Sequence, residues 1–414
     1  MPGAGEHAAR RAACSACVVF AAASLAPACG VAAAAAATAA RPVPPQATAA
    51  GGAAFDAALD TALLGYESMA ESAYAAAASG ARALRDSVTH FLAAPDAATL
   101  DAARRAWLAS HQVYDRTEVY RFAGGPIDDV QPYTGQNGPE PRINAWPVDE
   151  AFLDYVAGAS TGGLIGDIGV PMTRESLVSR NGTGDDTQVT LGYHAIEFLL
   201  WGQDHRADGP GERPAADYIP GDPVRDRRRA CLALECDILV DDLAGVTAEW
   251  QALPGRYATW FRARPRIERL GRALTGPATL AGFELASERI GVPLASSSQE
   301  FEESCFSDDT HHDYIADVEG IRRLLEGDGT SPGLATALEA LDPAANADIE
   351  ARLGRVRALA AGVTPPVDAI IVAPKEDPRR RHMEALAGEL IGLAGALVRT
   401  GREAGAEVYI GGGG

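Results

Sequence analysis

The segment Gly192-Tyr193-His194-Ala195-Ile196-Glu197 holds the residue types best suited to chemistry in this chain. On a helix predicted over residues 188–203, a spacing of three places His194 and Glu197 on one face within one turn. An imidazole and a carboxylate held in this way can bind one metal ion together. The common zinc-peptidase motif needs a second histidine four residues after the first, where this chain has Phe198, so further ligands must come from elsewhere. The alternative interpretation is a His–Glu hydrogen bond inside an apolar helix.

A second candidate segment, residues 304–313, is dense in serine, aspartate and histidine. These side chains could contribute ligands to a site. The same pattern is also typical of a helix start, with Asp308 or Asp309 as the N-cap.

Three further groups of charged residues have two interpretations each. Glu118 and Arg121 could form an ion pair within one helix, Asp149 could favour a helix dipole, and Glu288 with Arg289 could belong to an ordinary network. Each could also face a functional cleft. Motifs for a serine nucleophile, a phosphate-binding loop or a dinucleotide fold are missing from the sequence.

The elements that would position these residues are helices. Apolar residues recur at helical spacing, with Leu100, Trp107 and Tyr114 forming a stripe, and few segments alternate as strands do. We predict an all-α protein of two helical bundles, over residues 55–205 and 223–408, separated by a Pro- and Gly-rich boundary. The strings GYHAIE (192–197) and GFELASE (282–288) favour an internal duplication of the two bundles. The predicted helices cover 55–93, a long stretch after Pro95, 147–156, 188–203, 223–250, 256–273, 277–290, 310–326, 332–341, 343–362 and 377–405, several of them with proline at the first position, including Pro277.

The N-terminus has the features of an export signal. Arg10 and Arg11 precede an apolar run and then small residues, so we predict a signal peptide over residues 1–31 and a low-complexity linker over 32–54. The mature chain is then expected in the periplasm or cell envelope, without a transmembrane span. Lipid anchoring through Cys29 is the less favoured variant, because Leu25 lies one place too far from it.

Charge and cysteine content limit the possible partners and crosslinks. The formal net charge of −20 repels phosphate backbones, which argues against nucleic-acid binding, and it attracts cations in general. Of the six cysteines, Cys231, Cys236 and Cys305 lie beyond the predicted signal. In an oxidising compartment two of these three could pair, and a bridge from either of the first two to Cys305 is favoured over one between them; one thiol is left over in any case.

The stretch GYHAIEFLLWGQD resembles the signature of the imelysin family, which centres on G-x-H-x-x-E. The resemblance extends over about residues 55–400, through ARRAWLASHQVYDRTEVYRF, GGPID, INAWPVDEAFLDYV, ELASERI and ESCFSDDTHHDY. It implies a two-domain helical fold, export, and a link to iron regulation and uptake. The founding member was described as a metallopeptidase, so the resemblance alone leaves open whether this chain is an enzyme.

The resemblance and the residues together favour a protein that binds a metal or an iron-related ligand between its domains. His194 and Glu197 are the expected ligands, iron is the preferred metal, and zinc or copper are alternatives. Other envelope iron-uptake components are possible partners. One alternative is a metallopeptidase in which Glu197 activates water, and another is a metal-free site for a small molecule or peptide. A third ligand among the acidic residues would favour metal, whereas Arg121 or Arg289 in that place would favour an anion. The further candidate cleft residues are Gly192, Glu118, Arg121, Asp149, Glu288, Arg289 and Asp308.

Overall fold

Long stretches rich in alanine and leucine form the principal helices, because such residues lose little conformational freedom in a helix and supply an apolar face. The computed structural model describes residues 52–128, 138–158 and 162–411. Within these ranges the protein is all-α, as predicted: there is no β-strand, and Gly327 and Pro332 form an isolated bridge.

The α-helices are numbered here in chain order. They are α1 Ala53–Ala93, α2 Ala97–Asp115, α3 Glu140–Ile143, α4 Glu150–Leu153, α5 Gly163–Gly166, α6 Arg174–Val178, α7 Tyr193–Trp201, α8 Pro223–Glu249, α9 Tyr257–Arg262, α10 Arg266–Thr279, α11 Val292–Ser296, α12 Thr310–Glu326, α13 Ala335–Leu341, α14 Pro343–Ala360, α15 Asp368–Ile371 and α16 Pro378–Glu403. A π-helix over Leu280–Gly291 joins α10 to α11, and 3-10 turns cover Glu118–Tyr120, Ala215–Tyr218 and Gln299–Phe301.

The helices pack in two neighbouring groups. Helix α1 lies against α2, α8, α10 and α13, whereas α16 lies against the π-helix, α10 and α14. Helix α12 contacts α2, the π-helix and α14, and so connects the two groups. Helix α7 packs between α2 and α8, in a core of fully buried side chains. This placement of α7 brings the G-x-H-x-x-E segment into the interior.

The predicted domain boundary between residues 205 and 223 stays a prediction. Helix α8 follows that boundary in the chain and packs on α1 and α7, which precede it. The internal duplication is not confirmed. GYHAIE opens a nine-residue α-helix, whereas GFELASE lies within the π-helix.

Three local predictions were wrong. The helix expected over 147–156 is reduced to α4, because its N-terminal residues are extended. Pro277 lies inside α10 rather than at a helix start. The expected disulfide is missing: Cys231, Cys236 and Cys305 are all free thiols.

The predictions for the N-terminus lie outside the described residues. They concern the signal peptide over 1–31, most of the linker over 32–54, and Cys29. Of the helices that the structure describes, none combines the length and the apolar character needed to cross a bilayer.

Candidate functional site

Helix α7 begins at a glycine that the backbone requires. Gly192 occupies the N-cap position with φ of 96°, a conformation that side-chain-bearing residues rarely adopt. A Cβ atom there would lie 2.6 Å from the carbonyl oxygen of Ile143. The glycine therefore permits the close approach of α7 to α3, and every residue from Tyr193 to Trp201 is buried.

His194 and Glu197 form a hydrogen-bonded pair, as their spacing predicts. Nδ1 of His194 lies 2.9 Å from Oε2 of Glu197, and Oε1 of Glu197 accepts a hydrogen bond of 2.8 Å from the amide of Ser307. Both carboxylate oxygens of Glu197 are therefore engaged. The other ring nitrogen of His194, Nε2, is buried without a hydrogen-bond partner. Such an orphaned atom is costly unless something binds it.

Two residues from other elements meet His194. His111 on α2 and Glu303, which precedes α12, each place a potential ligand atom within 4.8 Å of one another and of a ring nitrogen of His194. The two imidazole rings lie 5.1 Å apart at a steep angle. All three side chains are at most 1% exposed. The chain thus assembles two imidazoles and a carboxylate from three distant segments.

His111 also faces a second acidic pair. Asp115, one turn further along α2, lies 3.3 Å from Nε2 of His111, and Asp313 on α12 lies 3.3 Å from Nδ1. Nε2 is 3.0 Å from the side-chain oxygen of Asn144. His111, Asp115 and Asp313 also have ligand atoms within 4.8 Å of one another. His111 is therefore shared by two overlapping groups of potential ligands.

Burial and neighbouring charges together set the pKa values of this cluster. Burial lowers the pKa of His194 well below its ordinary value, and the charges of His111 and Arg289 add to the effect. A neutral imidazole with a free lone pair is the form that binds metal. Burial would also lower the pKa of His111, but Asp313 and Glu303 outweigh it and raise that pKa to about 9. Burial raises the pKa of Glu303 to about 8. A metal ion entering here would displace protons.

Glu303 also belongs to a buried ion network. Arg289, on the π-helix, contacts Glu118 at 2.7 Å, Asp317 at 2.6 Å and Glu303 at 3.1 Å, and all four side chains are inaccessible to solvent. This network joins Glu303 to Glu118 and Asp317 through one arginine. The arginine is already matched by three carboxylates.

Glu118 also links this network to Arg121. Their predicted ion pair is present at 2.8 Å, in the interior rather than on the surface. Arg121 contacts Asp128 at 3.0 Å and Glu140 at 3.2 Å as well. Neither Arg289 nor Arg121 is thus left without an anionic partner.

The segment 302–313 supplies two further groups. Asp308 lies with Asp204 and Asp368 in an acidic group whose oxygens are within 4.8 Å of one another. Burial, together with those two neighbours, raises the pKa of Asp308 to about 8. Asp309 precedes α12 as one of the two predicted N-caps, but its side chain makes no capping bond.

The side chain of Asp309 points to other partners. It accepts from Gln112 at 2.8 Å and contacts His312 at 2.6 Å. Asp309, His311 and His312 form another group within 4.8 Å, in which His312 is exposed. Residues 304–313 therefore act neither as a simple helix cap nor as one group of ligands.

The structure brings some of the candidate residues together and leaves others apart. His194 lies in the cluster, and Glu197 supports it by a hydrogen bond. Glu118, Arg121 and Arg289 lie in the neighbouring ion network. Asp308 belongs to the separate acidic group, and neither Asp149 nor Glu288 joins any of these groups. The residues missed are His111, Asp115 and Glu303, whereas Asp313 lies in the candidate segment 304–313.

A signal for two of the missed residues was present in the sequence. His111 is four residues after Trp107 and three before Tyr114, so it lies on the apolar stripe of α2, and Asp115 follows one turn later. Polar side chains on a buried stripe need partners. Glu303 gave no such signal, because its burial depends on how α12 meets α2.

Two sequence comparisons match this chain to known proteins. Residues 70–397 match the family model described as Imelysin. The chain is 23% identical to Iron-regulated protein A of Synechococcus elongatus over 315 residues, which cover 73% of this chain and 75% of that protein.

Two crystal structures share the fold. A protein described as an iron-regulated protein A precursor from Parabacteroides distasonis has a TM-score of 0.62 at 14% identity, covering 83% of this chain and 95% of its own. An Imelysin-like protein from Psychrobacter arcticum has a TM-score of 0.61 at 18% identity, covering 87% and 99%. At these identities the structures show the fold alone. Because the family match spans most of the chain and includes the G-x-H-x-x-E segment with its buried histidine, the chain belongs to the imelysin family.

Proposed function

We propose that this protein binds an iron ion in the interior cluster, with His194, His111 and Glu303 as ligands. Two observations carry the proposal: Nε2 of His194 is buried without a hydrogen-bond partner, and a ring nitrogen of His194 lies within 4.8 Å of ligand atoms of His111 and Glu303. Two imidazoles and one carboxylate are a donor set suited to ferrous iron, and zinc or copper can use it too. The name of the Synechococcus relative, Iron-regulated protein A, supports iron over the other two metals.

In this proposal Glu197 orients His194 rather than binding the metal itself. A ligating histidine commonly donates its second ring N–H to a carboxylate, which fixes the tautomer and directs the free nitrogen to the metal. The pair at 2.9 Å has this form, and the amide of Ser307 occupies the other oxygen of Glu197. The direct ligation by Glu197 expected from the sequence would require one of these bonds to break.

Iron acquisition in the periplasm or cell envelope is the role that we propose for the bound metal. The predicted export signal and the relative's name support it. A small anionic ligand in place of metal is less favoured, because Arg121 and Arg289 are each matched by three carboxylates already.

Peptide hydrolysis is the second candidate. Two histidines and a glutamate also form the ligand set of several zinc hydrolases. A hydrolase must in addition expose an open metal position to a polypeptide, whereas His111, His194 and Glu303 are at most 1% exposed. Burial therefore favours binding over proteolysis.

The test is metal affinity of the full chain after chelator treatment, by calorimetry with ferrous iron under anaerobic conditions and with zinc. The variants His194→Ala and Glu303→Gln should lose more than the roughly 10- to 100-fold that removal of a ligand's hydrogen-bond partner costs, and Glu197→Gln should lose about that much. The matched controls are His90→Ala and Glu288→Gln, at residues outside the cluster.

Two outcomes would contradict the proposal. Wild-type protein that is folded and binds neither metal would exclude the site, and equal affinity in His194→Ala would place any binding elsewhere. If the zinc-loaded chain cleaves an unfolded protein substrate and Glu303→Gln does not, the peptidase candidate would replace simple binding.

A further inference from the structure

A second group of buried carboxylates lies apart from the histidine cluster. Asp204 follows α7, Asp308 precedes α12, and Asp368 opens α15. One oxygen from each lies within 4.8 Å of the others. Asp368 is fully buried, Asp204 is 8% exposed and Asp308 is partly exposed, so the group has one side close to solvent.

A fourth carboxylate adjoins this group and has no partner of its own. Glu302 is 1% exposed, lies beside Asp368, and neither of its oxygens has a hydrogen-bond partner. Neither oxygen of Asp368 has one either. A buried carboxylate normally accepts several hydrogen bonds or faces a basic side chain. Two such groups side by side indicate that something with positive charge is bound there.

The surrounding residues do not supply that charge. In the part of the chain that the structure describes, no ion pair joins an arginine, lysine or histidine to any of these four carboxylates. Arg206 donates its backbone amide to Asp204, at 2.9 Å, whereas its guanidinium contacts Asp208 and Glu212. Oδ2 of Asp204 and Oδ1 of Asp308 remain without a hydrogen-bond partner.

The donor atoms decide the kind of cation. All are carboxylate oxygens, with no imidazole or thiol among them. Hard oxygen donors in a flexible arrangement suit calcium, whereas iron, zinc and copper favour the nitrogen-containing cluster around His194. We propose that Asp204, Asp308 and Asp368, with Glu302 beside them, bind a calcium ion.

This site is separate from the proposed iron site but shares a segment with it. Glu302 faces the acidic group while its neighbour Glu303 faces the histidines, and Asp308 directly follows Ser307, whose amide binds Glu197. A bound calcium would hold this segment at one end. The experiment must therefore distinguish the two sites.

The test uses the full chain, treated with chelator and then titrated with calcium chloride. We expect binding of one calcium per chain by calorimetry and a rise in melting temperature. Asp368→Asn should weaken calcium affinity by more than about tenfold and abolish the rise, since ligand charge sets affinity in such sites. The control Asp237→Asn makes the same change at an exposed position of α8 and should behave like the wild type.

The sign of the change in melting temperature distinguishes calcium binding from an alternative in which protons neutralise these carboxylates. Without calcium, Asp368→Asn relieves repulsion among carboxylates and should melt higher than the wild type. With calcium the order should reverse. If Asp368→Asn does not fold, Glu302→Gln provides the same comparison.

Three results would overturn the proposal. One is folded wild-type protein with no calcium binding and no thermal shift. Another is an Asp368→Asn variant that melts at a higher temperature than the wild type at every calcium concentration. The third is loss of calcium binding in His194→Ala, which would assign the calcium to the histidine cluster. Failure of iron binding with calcium binding retained would contradict only the function proposed above.

Discussion

At the scale of single residues, the interior of this protein is unusual in its charge. Arg289 is fully buried among three carboxylates, one of which, Glu303, also lies near the two histidines. Burying an ion is costly, and the cost is offset only when partners surround it. The position of Glu303 therefore depends on Arg289 as much as on its own backbone.

Replacing Arg289 with methionine should destabilise the protein by about 3–5 kcal/mol, because Glu303 and Asp317 stay buried without their arginine and Glu118 keeps only Arg121. Urea unfolding at neutral pH measures this. The control Arg355→Met removes a half-exposed arginine that pairs with Glu389 at 3.1 Å, and should cost less than about 1 kcal/mol. Similar losses in the two variants would mean that the buried network contributes no more than a surface pair.

At the scale of secondary-structure elements, two irregular features position the site. Gly192 lets α7 start close to α3, and a twelve-residue π-helix carries Arg289. The π-helix begins three residues after Pro277, which cannot donate a backbone hydrogen bond inside α10. Wide helical turns of this kind often occur at functional sites.

Replacing Gly192 with alanine should destabilise the protein by at least about 1–2 kcal/mol from the left-handed backbone alone, and the contact with Ile143 adds to this. The matched control is Gly245→Ala on α8, where a new Cβ meets no atom within 4 Å. That variant should gain about 0.4–1 kcal/mol. Thermal and urea unfolding measure both. A neutral effect of Gly192→Ala would show that α7 can shift without loss.

Helix α12 also carries an ion triad with a defined pH dependence. Glu319 contacts Arg322 at 2.7 Å and Arg323 at 2.9 Å, and the hydrogen bond from Arg322 is the main reason why the pKa of Glu319 falls to about 2. Because this pKa is lower in the folded state, the stabilisation is complete above about pH 4.5 and disappears as the pH falls toward 2.

Glu319→Gln should therefore cost about 1 kcal/mol at neutral pH, a value reduced by solvent screening, and almost nothing near pH 2. Urea unfolding at several pH values tests this. Glu384→Gln, at an exposed position of α16, serves as the control and should show no such convergence. A cost for Glu319→Gln that stays constant with pH would contradict the assignment.

At the scale of the whole molecule, helix packing maintains the fold, and the three cysteines in the described residues form no disulfide. Leucine, alanine and aromatic side chains form a continuous core over the described helices. Cys231 and Cys236 are buried within it, and burial raises the pKa of both thiols well above its ordinary value. Thiols of this kind are unreactive and pack as small apolar groups.

A reducing agent should accordingly leave the melting temperature unchanged. In denatured protein that was never reduced, an alkylating reagent should label Cys231, Cys236 and Cys305, because all three are free. Peptide mass spectrometry identifies which of the cysteines carry the reagent. If any of these three thiols is modified only after reduction, it takes part in a disulfide, and the prediction of free thiols is wrong.

The sequence by itself determined the helical class, the family and the pairing of His194 with Glu197. Each of these depends on residues close together in the chain, whose helical spacing places them side by side. Only the tertiary structure decided that His111 and Glu303 complete the cluster and that Arg289 lies behind Glu303. It also decided that Asp204 and Asp368 meet Asp308 far from their own places in the chain. Contacts between distant segments follow from how helices pack, and local periodicity does not predict which buried helix faces pack against each other.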